Sequence, residues 1–190
     1  MASLRETKKQ ATRRALADSS ARLALTHGGD AVTVSAIAAA AGVSARTFHN
    51  YFTSAADALL YFTAGVLEEF AKDVPNIHPD SQDIPALFEN IVLDSIKDEQ
   101  AELWSLPSLF RVGEALENLS TTREEKKKYE AVAHGVLEAF HKRFPAHDAF
   151  HVAVALQACA GASLAALKEC SERTLTGADP VSYTHLRAHE

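Results

Sequence analysis

Arg46, Thr47, His49 and Asn50 place four hydrogen-bonding side chains within five consecutive positions, interrupted only by Phe48. Phe48 and Phe52 are four residues apart, so on a helix they share one face and leave the polar set pointing elsewhere. A short helix that is aromatic on its inner side and polar on its outer side is what reading base edges in a DNA major groove requires.

The elements that must hold such a helix are legible around it. Thr33 is suited to cap a helix in which Val34, Ile37, Ala38 and Ala41 form an apolar face, and Gly42 supplies the left-handed residue that stops it. Val43 turns the chain back toward the core, and Ser44 caps the second helix, which runs to Phe52. Two short helices around a tight turn make a helix-turn-helix. Before them, residues 5–27 suit a first helix with Leu16, Ser20, Leu23 and Ala24 inward and Gly28 at its end. Its early turns carry Lys8, Lys9, Arg13 and Arg14, either as contacts to phosphate or as a basic face that is simply solvated.

This run of matched positions, from Leu16 through Thr33-Val34, Ile37-Ala38, Gly42-Val43-Ser44, Thr47 and Tyr51-Phe52, resembles the DNA-binding half of the TetR family of bacterial transcriptional regulators. The resemblance covers roughly the first sixty residues. It implies a one-component regulator, in the main a repressor, that binds a palindromic operator as a homodimer and is released by a small-molecule effector. It also implies roles residue by residue. Ser44 and Thr33 sit at helix starts where hydroxyls and free N–H groups meet phosphate, and Arg46 can donate twice to guanine O6 and N7. Thr47 would meet a thymine methyl or a phosphate, His49 a phosphate, Asn50 an adenine and Tyr51 the DNA backbone. Plainer readings remain open, a solvated arginine for Arg46 and a half-buried packing aromatic for Tyr51. The chain departs from the family where a Lys commonly opens the fourth helix, since Ala55 stands there, and His49 replaces a usual aromatic. The effector pocket implied for the second half would draw on Trp104, Phe110, Arg111, Tyr129, His134 and Cys159, each of which also reads as ordinary core or surface.

Charge divides the chain. Residues 1–60 hold seven Lys or Arg against four Asp or Glu, a balance of +3, whereas the whole chain of 190 residues stands at -6, leaving -9 for the remainder. A basic reading head on an acidic body follows. Cys159 and Cys170 lack metal or redox spacing, and neither a leader nor a stretch of about twenty apolar residues points to export or a membrane. A cytoplasmic protein with reduced thiols is expected.

The expected architecture is all-α: an N-terminal three-helix helix-turn-helix DNA-binding domain over residues 1–54, then a C-terminal helical ligand-binding and dimerisation domain over 55–178. A linking helix spans about 55–72. Val74 to Asp80, with two prolines, interrupts the chain, and helices are expected at Ile84–Asp98, Glu102–Leu119 with a break near Pro107, Thr122–Phe144 and Asp148–Arg173. Residues 179–190 lose the helical texture. SYTHLRAHE resembles translated sequencing-adapter read-through, and Ser182 onward is read as non-native, with an ordinary disordered tail as the alternative; the family resemblance implies one more long helix here, whose loss would take half of the dimer interface.

Catalysis is not expected, because no phosphate loop, nucleophile elbow or carboxylate pair stands out, and no cofactor or metal is expected. His147 and His151, one turn apart, offer a two-imidazole alternative without a third ligand. An interaction module that keeps the helix-turn-helix fold without reading DNA is the other alternative.

Overall fold

The structure, a computed structural model, describes residues 4–97, 103, 106–117, 119 and 122–175. The expectations for Trp104 and for the 179–190 tail fall outside these residues. The described chain is all-helical: α1 (Leu4–His27), a 3-10 turn (Gly29–Ala31), α2 (Val34–Ala40), α3 (Ala45–His49), α4 (Ala55–Asp73), α5 (Ile84–Lys97), α6 (Leu106–Glu117), α7 (Arg123–Arg143) and α8 (Ala149–Leu175).

Side-chain caps set most of the helix starts. The hydroxyls of Thr33, Ser44, Ser54 and Thr122 accept the first free amides of α2, α3, α4 and α7, and Asp83 and Asp148 do the same for α5 and α8. Gly28 and Gly42, at φ 80° and 68°, provide the left-handed residues that end α1 and α2. Helix α6 begins at Leu106, beside the expected break, and Pro107 lies in its first turn, where its missing N–H has no intrahelical partner to lose.

Two apolar clusters organise the packing. The first joins Leu16, Ala17 and Ala21 of α1, Ile37 of α2, Phe48 and Phe52, Leu59, Phe62 and Val66 of α4, and Leu109, Val112 and Ala115 of α6. The second joins Phe70 and Val74 with Ile84, Leu87, Phe88 and Ile91 of α5, Phe140 and Phe144 of α7, and Val152 of α8. Helix α4 contributes to both and packs most heavily on α7. The 3-10 turn meets α6 so closely that a Cβ on Gly29 would lie 3.0 Å from the Ala115 carbonyl oxygen.

Apolar length is concentrated in α8. Ala149–Ala166 is long and apolar enough to cross a membrane by length and composition, and only 11% of it is buried within the chain. A lone helix of this kind equally suits a surface that another protein covers.

The turn after α4 is pinned from a distance. The Arg143 guanidinium donates to the carbonyls of Val74, Ile77 at 2.6 Å and His78 at 2.7 Å, and His78 sits in the left-handed region at φ 44°. Replacing Arg143 with Met should cost about 2–3 kcal/mol, since bonds from a charged donor are the stronger kind. Thermal unfolding should then occur about 4–12 °C lower. Arg143→Lys should recover only part, because an ammonium lacks the planar fork that spans three carbonyls.

Candidate nucleic-acid interface

The helix-turn-helix is built from one stop and one start. Val43 N–H donates to Ala38 O at 2.9 Å and Gly42 N–H to Ala39 O at 3.1 Å, a Schellman closure that needs the positive φ of Gly42. Ser44 then accepts from Thr47 N–H at 3.1 Å and shares a 2.9 Å hydroxyl contact with Thr47 Oγ1. Helix α3 is shorter than expected. It ends at His49, and Asn50 and Tyr51 lie on the turn that follows, although Phe52 N–H still reaches Phe48 O at 3.1 Å.

Orientation follows from the phenylalanine pair. Phe48 and Phe52 are buried with ring centroids 5.8 Å apart, and Arg46, His49 and Asn50 on the opposite side are exposed. Thr33 and Ser44 are exposed as well, each capping its helix, and Thr47 is half-buried. Tyr51 is half-buried and packs on the first core cluster.

The basic residues of α1 do not act alike. Lys8, Lys9 and Arg14 are exposed, but the Arg13 guanidinium lies 4.4 Å from the ring centre of Tyr61 and 5.3 Å from that of Phe52. Arg13 is a cation–π clamp between α1, the end of the helix-turn-helix and α4. Spacing alone could not separate it from Arg14, because the aromatic partners come from 39 and 48 residues further along.

The start of α4 is also committed internally. Thr53 donates its N–H and its hydroxyl to Asp57 Oδ2 at 3.0 and 3.1 Å, and the Ser54 hydroxyl donates to Glu125 Oε1 at 2.7 Å. Ala55, where the resemblance would place a lysine, is half-buried against the core.

A family model of bacterial regulatory proteins, tetR family, matches residues 16–60. The chain carries a TetR-family domain. That match supports a transcriptional regulator with a DNA-binding amino terminus. Its fold is similar to a solved structure described as a structural analysis of the fatty acid degradation regulator FadR from Bacillus halodurans. The TM-score is 0.59, with 18% identity and 86% of each chain covered, a likeness of fold alone. No curated protein matches the chain.

Behind the TetR-family domain lies a cavity of about 950 Å3. Its floor is apolar and buried, with Phe70, Phe88 and Leu109, and its rim carries Glu130, His134 and Gln157. His134 thus lines it, 3.4 Å from Glu138. Cys159 packs instead on the second core cluster, where burial, with Asp83 adding, pushes its thiol above the ordinary range. The side chains of Phe110, Arg111 and Tyr129 lie outside the described residues. His151 is engaged by Asp148 at 2.8 Å, and among the described residues no group of three metal-binding side chains occurs. A raised thiol pKa means less thiolate at neutral pH. In a Cys170→Ser background, Cys159 should react with a disulfide reagent several-fold more slowly than free glutathione at pH 7. Reaction as fast as glutathione would contradict its half-buried position.

Proposed function

We propose that this chain is a one-component, cytoplasmic transcriptional repressor that binds a palindromic operator as a homodimer and leaves it when a small molecule fills the cavity. Residues 1–54 form the reading head, and residues 55–178 form the effector-binding and dimerisation body. The observation that carries this reading is the exposed Arg46, His49 and Asn50 face on a helix held by two buried phenylalanines within the family-matched segment. The basic head is set against an acidic body, which favours approach to DNA by that end.

Dimerisation is supported by α8. Phe150 is 73% exposed and Val154, one turn on, 51% exposed, within the uncovered apolar stretch. A second copy laid along this face would bury it, and two heads about 34–36 Å apart would meet successive major grooves.

The cavity supports the effector part. It is walled by α4, α5, α6, α7 and α8, and an apolar body would displace water from its floor while a polar end meets Glu130, His134 or Gln157. The neighbour described as a fatty acid degradation regulator fits an apolar ligand class. Helix α6 is the common wall: Leu109, Gly113 and Leu116 line the cavity, Val112 and Ala115 belong to the head's core cluster, and Leu109 belongs to both. A ligand that repositions α6 therefore changes what supports the head, which is the differential contact that a population shift requires.

An inverted-repeat DNA selected from a random pool by the purified protein is the test. Arg46→Ala should weaken binding about 5- to 150-fold, mostly at one base pair per half-site, as read by gel shift on single-base variants. Equal loss on every sequence would make Arg46 a phosphate contact rather than a reader. Affinity should also fall steeply from low to moderate salt, and a flat response would exclude phosphate neutralisation. Phe150→Glu with Val154→Glu should convert a dimer to monomer in sedimentation and abolish tight operator binding, and a dimer that survives both changes would place the interface elsewhere.

A further inference from the structure

Two helix starts far apart in sequence share one hydroxyl. Ser54 accepts from Asp57 N–H at 2.9 Å as the cap of α4, and gives its single proton to Glu125 Oε1 at 2.7 Å across 71 residues. Glu125 is only 3% exposed. Its Oε2 accepts from Thr122 N–H at 2.6 Å, and its own N–H donates to Thr122 Oγ1 at 3.2 Å, closing the capping box of α7. On the near side, Asp57 holds Thr53, the residue that follows Phe52. An unbroken chain of hydrogen bonds thus runs from the end of the helix-turn-helix to the first turn of α7, and α7 goes on to wall the cavity.

We propose that Ser54 and Glu125 form a latch that fixes the angle of the reading head against α7 and thereby sets the half-site spacing the dimer accepts. This rests on the DNA-binding, dimeric reading above. A capping hydroxyl bonded within its own helix would leave α4 held to α7 by apolar packing, which tolerates sliding and tilt. A short bond to a buried carboxylate is directional and is either made or broken. Both residues are positioning residues, since neither belongs to the exposed reading face.

The experiment uses the full chain and the DNA selected by the wild type, with a series in which the half-site spacing is changed by one or two base pairs. Ser54→Asp keeps an acceptor for the cap of α4 but sets a second carboxylate against Glu125. It should lose about tenfold affinity at the best spacing and flatten the preference among spacings. Adding Glu125→Gln, whose amide donates to the new carboxylate while its oxygen still caps Thr122, should restore both to within about threefold. A merely structural role would lower the melting temperature without altering the spacing preference. If Ser54→Asp does not fold, Ser54→Ala removes the donor without adding charge, and should flatten the preference with a loss of about threefold. Unchanged spacing preference in a folded variant, or no recovery in the double variant, overturns the latch. Should the wild type select no DNA, the functional reading fails, and hydrogen exchange decides the latch by itself. Ser54→Asp should then raise exchange in the first turns of α4 and α7 together, and an unchanged α7 overturns it.

Discussion

Burial of Phe48 and Phe52 is the contact on which the exposed polar face depends. A five-residue helix has no stability of its own, because nucleation costs more than its few hydrogen bonds return. What fixes α3 is the packing of two rings among Leu16, Ile37, Leu59 and Phe62, together with the Ser44 cap at one end. The rings settle rotation about the helix axis, and rotation decides which side chains face solvent. Arg46, His49 and Asn50 are therefore presented by the core and not by any interaction of their own.

The same core ties the head to the body. Its wall includes Leu109, Val112 and Ala115 of α6, and the close approach of Gly29 to the Ala115 backbone leaves no space for a side chain between them. Helix α6 consequently has little freedom to slide over the head without carrying it along, since packed interiors transmit displacement instead of absorbing it. The cavity is lined by Leu109, Gly113 and Leu116 of the same helix. Occupancy and head position are in this way mechanical neighbours across a single helix.

Much of this was legible in the sequence, and what was not has a common physical origin. The caps at Thr33, Ser44 and Thr122, the stops at Gly28 and Gly42 and the inward phenylalanines are local devices, decided within four residues, and each stands where the pattern places it. The end of α3 was overestimated because Phe48 and Phe52 remain one turn apart whether or not regular helix continues between them. Arg13 was indistinguishable from Arg14 by spacing, yet one is stacked between Phe52 and Tyr61 and the other exposed, a difference made by partners distant in sequence. The Ser54–Glu125 bond was hidden for the same reason. Of the pocket residues, His134 reaches the cavity and Cys159 packs on the second core, and helical periodicity cannot resolve that choice when α7 and α8 are amphipathic on more than one side.

A buried glutamate at the junction of two helices would ordinarily weaken a fold, because a carboxylate loses several kcal/mol of hydration when water is excluded. Here its oxygens are met by the Thr122 amide and the Ser54 hydroxyl, and it sits in the first turn of α7, where the helix dipole favours negative charge. The arrangement therefore offsets its desolvation only in one relative position of α4 and α7. Apolar residues at the same two sites would have packed across a range of positions. Substituting a satisfied polar pair for them exchanges tolerance for a defined angle, which is what a protein needs if two heads are to meet two grooves a fixed distance apart.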